Sequence, residues 1–238
     1  MSNFDYQKIP PGYYDLIFKK NKGAQSEWHH RKFEFVENKI KKTENHLDIA
    51  CGPGTFIGNY LINTKKKIGI DIARDQILYA NQKYKSKNCL FLNFDGKKIP
   101  FKDKTFNTIS LIELIEHLPI KKIEIILKEA RRCLKDNGKI IITTPNYFSF
   151  WPLIEFIINK FSKVSYEDQH ITKFNIYNIK NLAFRSDMKI EEIGTFNYFS
   201  PFLAIFSKKL STFFSKIKFF DIKLGLLIYL VLKKNQKR

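Results

Sequence analysis

The chain has 238 residues, 44% hydrophobic and 27% charged, which is ordinary soluble-protein usage and enough for one well-buried core. Lys plus Arg number 42 against 23 Asp plus Glu, a formal charge of +19 concentrated toward the C-terminus, where residues 195–238 carry nine basic side chains and one acidic. Only six of the cations are Arg, the residue whose planar fork reads bases and phosphates, so the charge argues against specific nucleic-acid recognition.

Residues 1–45 form an N-terminal cover segment, in which 28–42 reads as a helix with Phe33, Val36 and Ile40 on its apolar face. From residue 46 short β-branched runs alternate with helical stretches. Strands are predicted at 46–50, 67–71, 89–92, 107–112 and 139–144, with helices at about 54–63, 73–84 and 119–135 between them. That alternation is the α/β pattern of a parallel sheet with helices on both faces, and no linker divides it, so 46–238 is one domain. Residues 145–161 read as an aromatic-rich helix opening a substrate-side insertion over 145–186, followed by a helix at 178–187 and a strand at 189–198.

Farther on, Phe202, Phe206, Leu210, Phe213, Phe214, Ile217 and Phe220 recur at helical spacing, with Lys208, Lys209, Lys216 and Lys218 between them. This amphipathic insertion, over 200–222, suits an anionic membrane surface and would equally serve as a lid, a dimer face or a core contact. The apolar run at 224–232 is far short of the roughly 20 residues that span a bilayer and suits a buried last strand. No apolar leader opens the sequence, and Cys51, Cys89 and Cys133 show no paired spacing. Both features fit a reducing, cytoplasmic compartment.

Chemistry is concentrated at the strand ends. In LDIACGPGTF (47–56) the glycines Gly52 and Gly54 let a ligand approach backbone that a Cβ would shield. Ile57 stands where the dinucleotide fingerprint needs its third glycine, and no Lys-Ser/Thr pair follows to make a P-loop. Asp71, nineteen residues after Gly52, ends the second strand where an acid accepts from ribose hydroxyls. Together they favour an adenosine moiety. The bland alternative is a tight turn with Asp71 capping the next helix.

With these residues the chain resembles the class I S-adenosylmethionine-dependent methyltransferases, whose first motif reads acid-x-Gly-x-Gly-x-Gly. FDGKKIPFKDKTFNTISLIELIEHL (94–118) resembles the third-strand Asp, the PF-x-D-x-x-F turn and the E-x-x-E-H fourth-strand end of the methyltransferase type 11 group, which includes the ubiquinone-biosynthesis O-methyltransferases. EARRCLKDNGKIIITTPN (129–146) continues the likeness. Ala50 departs from it at the first motif glycine, and Asn107 at the Asp usual after the turn Phe.

The resemblance implies a Rossmann-like, seven-stranded, mostly parallel sheet whose last strand runs antiparallel between the fifth and sixth, with S-adenosyl-L-methionine as cofactor. It puts Asp48 in the motif's acid position, Gly52 and Gly54 against the methionine part, Asp71 on the ribose with Ile72 beside it, Asp95 on the adenine amino group and Ile112 on the adenine edge. Arg31 would pair with the cofactor carboxylate, its bland alternative being a solvated helix face. Some quinone-type relatives hold a divalent metal through the group matching Glu113, Glu116 and His117; a capped helix start is the alternative, and no metal is assigned. His170, in EDQHITKF (167–174), resembles the family's H-x-x-x-F segment over the substrate mouth.

The expected reaction is methyl transfer to an oxygen of a small amphipathic or lipid-linked acceptor such as a quinone, lipid or glycan precursor. His117, and after it His170, are the candidate bases. RNA or protein methylation, or a non-catalytic binding module, are the alternatives. The expected location is cytoplasmic or peripheral on the membrane through 202–220.

Overall fold

The computed structural model describes residues 9–161, 169–198, 200–204, 207, 209, 211 and 223–235. In chain order these form α1 (Tyr13–Lys19), α2 (Ala24–Ile40), β1 (Asn45–Ile49), α3 (Thr55–Asn59), β2 (Lys66–Asp71), α4 (Arg74–Tyr84), β3 (Cys89–Asn93), β4 (Phe106–Ile112), a 3-10 turn (Ile115–His117), α5 (Ile120–Cys133), β5 (Leu134–Pro145), α6 (Trp151–Phe161), α7 (Asn181–Arg185), β6 (Met188–Phe196), α8 (Ser200–Leu203) and β7 (Leu227–Lys234).

The seven strands make one sheet in the order β3-β2-β1-β4-β5-β7-β6. Pairing is parallel from β3 to β5, while β7 runs antiparallel to both β5 and β6. The expected Rossmann-like sheet is therefore present, with its reversed strand where the resemblance implied.

Alternation along the central strands divides the core in two. Leu47 and Ile49, Ile109 and Leu111, and Ile140 and Ile142 turn to the side covered by α5 and α7, where Ile123, Leu127, Ala130, Leu182 and Ala183 meet them. Ile141 and Val231 turn to the opposite side and pack with Phe33, Val36 and Ile40 of α2, Phe56 and Ile57 of α3, and Ile77 and Ala80 of α4. Period-two alternation on strands and i, i+3, i+4 spacing on helices place apolar side chains on both faces, so the sheet is closed on each side.

The N-terminal cover holds one more helix than expected. In α1 the buried Asp15 accepts from Thr55 Oγ1 at 3.1 Å and Tyr79 Oη at 2.8 Å, and also binds Lys83 and Tyr84. A seven-residue helix has too little intrinsic stability to show in its sequence, and these long-range bonds supply what propensity lacks. The expected helices at 54–63 and 178–187 are shorter, at Thr55–Asn59 and Asn181–Arg185. Of the amphipathic segment at 202–220, Ile205, Phe206, Lys208, Leu210 and all of 212–220 lie outside the described residues. Among the described residues no helix is long and apolar enough to cross a membrane.

Candidate functional site

The strand order reverses between β1 and β4, each being followed by a connection that leaves the sheet in the opposite direction. In an open α/β sheet the crevice beyond the carboxyl ends at this point is where ligands bind. A cavity of about 1000 Å³ lies there, lined by the β1–α3 loop, the ends of β2, β4 and β5, the inner face of α2, the start of α6 and the 169–171 segment.

Gly52 and Gly54 lie in the β1–α3 loop with φ of 52° and 76°. A Cβ on Gly54 would meet the Phe91 ring at 2.5 Å, so that glycine is required by packing. At Gly52, among the described residues, no atom beyond its chain neighbours lies within 4 Å of where a Cβ would stand. Its constraint is conformational, and its side-chain direction is left to a ligand. Ala50, the departure from the glycine motif, also has a left-handed φ of 60°, a strain of roughly 1 kcal/mol that a methyl-sized side chain tolerates.

Asp71 holds the loop. Its Oδ2 accepts from the Gly52 amide at 2.8 Å and its Oδ1 from the Ala73 amide at 2.8 Å, and each oxygen retains a lone pair for a ribose hydroxyl. Burial raises its pKa against the lowering by these backbone amides. Asp48, wholly buried behind the loop, accepts from Ser110 Oγ, and burial pushes its carboxyl up to about 7. Ile72 is 62% exposed and, with Ile112, lines the cavity as a flat apolar wall. Cys51 lines it too, and burial pushes its thiol well up, away from the thiolate form that a nucleophile needs.

Two expected residues are not brought to this cavity. Asp95 is exposed in the turn after β3, accepting the Lys97 amide at 3.0 Å, and does not line the pocket. This is the simple turn use of Asp before a left-handed Gly96. Arg31 also stays outside, bonded to Glu27 at 2.7 Å and to Glu34 at 3.5 Å on its own helix. Its neighbour Lys32 does reach the cavity, buried and paired with Glu113. His29 lies one turn earlier on the same inner face, buried, with Nδ1 lacking a hydrogen-bond partner among the described residues and burial driving its pKa well down.

Sequence reasoning passed over both, though the signal was present. His29 and Lys32 each lie four residues before an apolar contact of α2, Phe33 and Val36. Arg31 is out of phase with that face.

At the acceptor end, Glu113 takes a left-handed φ of 50° and accepts from Trp28 Nε1 at 3.2 Å in addition to its pair with Lys32. Glu116 is fully buried, accepts from Thr144 Oγ1 at 2.9 Å, and is pushed up to about 8 by burial and, secondarily, by Glu113. His117 donates through Nδ1 to the Gln169 carbonyl at 3.1 Å, which puts its lone pair on Nε2, and burial holds it down at about 4.

His170 is brought alongside because Thr172 ties its segment down, its amide donating to the Glu116 carbonyl at 3.0 Å and its hydroxyl to the Leu118 carbonyl at 2.6 Å. The two imidazole centroids are 5.1 Å apart. His170 Nδ1 pairs with Glu155 of α6, and Tyr147 Oη bonds both Glu155 and His170. Glu116, His117 and His170 each offer one ligand atom within 4.8 Å of the others. The three groups that could hold a metal therefore include His170 and exclude Glu113, which the sequence had grouped with them.

Residues 47–142 match the family model for a methyltransferase domain, the type 11 group. Over this segment the chain is similar to type 11 methyltransferase domains. The chain is 31% identical over 113 residues to a sterol 4-C-methyltransferase of Caenorhabditis elegans, covering 45% of this chain and 33% of that protein. It is 26% identical over 124 residues to a sphingolipid C9-methyltransferase of Gibberella zeae, covering 50% of this chain and 24% of that protein. The chain thus spans a third or less of the length of these curated relatives. A solved S-adenosylmethionine-dependent methyltransferase of Thermotoga maritima, described as a possible histamine N-methyltransferase, superposes over 93% of both chains with a TM-score of 0.64 at 15% identity; that likeness shows the fold. The family match and the fold imply S-adenosylmethionine as cofactor, and the open space at Gly52, the acceptor at Asp71 and the apolar wall of Ile72 and Ile112 fit its amino-acid, ribose and adenine parts.

Proposed function

We propose that the chain transfers the sulfonium methyl of S-adenosylmethionine to an oxygen of a small amphipathic or lipid-linked acceptor. The observation that carries the reading is one cavity with two ends. An adenosine-compatible glycine loop forms one end, and the other joins an aromatic and apolar wall of Trp28, Trp151 and Ile157 to the polar cluster of Glu116, His117 and His170. Its volume is at the top of the range of roughly 300–1000 Å³ for small-molecule sites, which suits two molecules side by side.

The cofactor supplies the electrophile when bound. The chain has to hold the acceptor in line at about 3 to 3.5 Å and see its proton removed. A phenol, with a pKa of about 10, keeps that proton at neutral pH. The Glu116, His117 and His170 cluster is the acceptor-rich wall beside which a hydroxyl would lose it. The Nδ1 bond of His117 to Gln169 sets the tautomer that can receive it.

The sterol and sphingolipid methyltransferases among the relatives agree with a lipid acceptor, although their names specify carbon. Incubating the full chain with methyl-labelled cofactor and a total lipid extract tests the reading. Label should enter the organic phase as an alkali-stable methyl ether. Label confined to protein or RNA would contradict it, and label on carbon would correct the acceptor atom.

A further inference from the structure

We propose that Glu116, His117 and His170 bind a divalent first-row transition-metal cation at the acceptor end of the cavity. The three ligand atoms, one from each side chain, lie within 4.8 Å of one another. Atoms sharing a cation at 2.0–2.2 Å are about 3 to 3.5 Å apart, so closure needs side-chain movements of about 1 Å.

The composition is what sets the class of ion. Two imidazoles with one carboxylate form the set that suits zinc, iron(II), manganese or cobalt, whereas magnesium and calcium favour all-oxygen sites. The set also differs from the contiguous Glu-x-x-Glu-His group implied by the sequence. Glu113 is not one of the ligand atoms that lie within 4.8 Å of one another, and Trp28 and Lys32 of α2 hold its carboxylate instead.

Each ligand is fixed from behind, as metal ligands are by their outer partners. His117 Nδ1 donates to the Gln169 carbonyl at 3.1 Å. His170 Nδ1 pairs with the Glu155 carboxylate, itself bonded by Tyr147 Oη at 2.9 Å. Glu116 Oε2 accepts from Thr144 Oγ1 at 2.9 Å. With both Nδ1 protons so committed, the imidazole tautomers carry their lone pairs on Nε2. The Thr172 bonds to Glu116 and Leu118 bring the ligand from beyond α6 onto the two from the 3-10 turn, so the site closes one long loop of chain. The cation would sit beside the atom to be methylated, where it would acidify a hydroxyl as a Lewis acid. In that respect the inference rests on the reading of the cavity as a methyl-transfer site.

The test uses the full chain, stripped with EDTA and exchanged into metal-free buffer. It is titrated with cobalt(II) chloride while visible absorption is followed, and with zinc chloride by calorimetry. One ion per chain is expected. His170→Ala and His117→Ala should each weaken binding at least tenfold, Glu155→Gln should weaken it about tenfold through His170, and Glu113→Gln should leave it unchanged. Thermal melting and S-adenosylmethionine affinity of each variant report the fold, with His170→Asn replacing His170→Ala if that variant does not fold. Absence of saturable binding in the parent chain, or binding lost in Glu113→Gln and kept in His170→Ala, would overturn the site. Cofactor binding without metal binding rejects this inference alone, whereas metal binding without cofactor binding rejects the methyltransferase reading and retains the site.

Discussion

Asp71 ties two amides of different segments, Gly52 and Ala73, to one carboxylate. Its value at 19 residues from Gly52 was readable because a βαβ unit has a nearly fixed length. Asp48 and Ile112 came instead from the resemblance, as the motif's acid position and the end of the fourth strand, and both line the cavity. Gly52 separates a ligand's claim from a structural one. Because a Cβ there meets no atom of the described residues beyond its chain neighbours, Gly52→Ala should cost about 1 kcal/mol of stability through its positive φ, yet lower cofactor affinity at least tenfold, as read by melting and calorimetry on the same sample. Equal, small effects on both would mean that no ligand approaches that backbone.

Asp48 gives the pH dependence at this scale. Its folded pKa, about 7, lies above the ordinary value near 4, so the native state binds the proton more tightly. The carboxyl's contribution to stability is thus full at pH 4, declines as pH rises and is lost above about 7. Asp48→Asn, which keeps an acceptor for Ser110, should match the parent near pH 4 and melt higher than the parent at pH 8. A constant difference across that range would show that burial does not hold the proton on Asp48.

At the scale of elements, the cover helix α2 shows why some of the site was missed. Its phase is set by Phe33, Val36 and Ile40 packing on the sheet. The same phase carries Lys32 and His29 inward and Arg31 outward. A cation carried over from a family by spacing alone is uncertain by one residue, and one residue is about 100° of helix rotation. The His170 juxtaposition was illegible for another reason: it depends on Thr172 bonds across more than 50 residues, and no local pattern encodes them.

Helix α6 reverses the usual amphipathic order. Trp151 and Glu155 face inward, while Leu153, Phe156 and Ile157 are exposed, with Phe148 and Phe150 in the preceding turn. Tyr177 packs against Phe148 at 5.1 Å, and the Lys223 ammonium lies 5.0 Å from the Tyr177 ring centroid. Aromatic and aliphatic groups beside lysines suit an anionic lipid surface next to the cavity mouth. This face would add to the anionic-membrane contact expected of 202–220. Sedimentation with phosphatidylglycerol vesicles should retain the parent chain at low salt and release it at high salt. Leu153→Glu with Phe156→Glu should weaken retention while leaving cofactor affinity unchanged. Full recovery of the parent in the supernatant at low salt would rule out the surface.

For the whole molecule, the +19 charge and the sheet topology speak to different things. Net charge bears on what the surface attracts, and not on the fold. The order β3-β2-β1-β4-β5-β7-β6 places four strand ends on one cavity, and short β-branched runs with helices between them made that order readable as a class. The two faces of the core, the short α1 and the approach of α6 needed long-range packing that periodicity does not report. The match of residues 47–142 to the methyltransferase family model, with the function we propose, predicts that this cavity takes the methyl donor with its ribose on Asp71. Calorimetric titration of the full chain with S-adenosylmethionine, and with its demethylated product, measures that directly. One site per chain is expected for both ligands, weakened in Asp71→Ala by about 1.5–3 kcal/mol, the worth of a hydrogen bond to a charged group. A folded parent chain that binds neither ligand, or a folded Asp71→Ala that binds both with the parent's affinity, would contradict it.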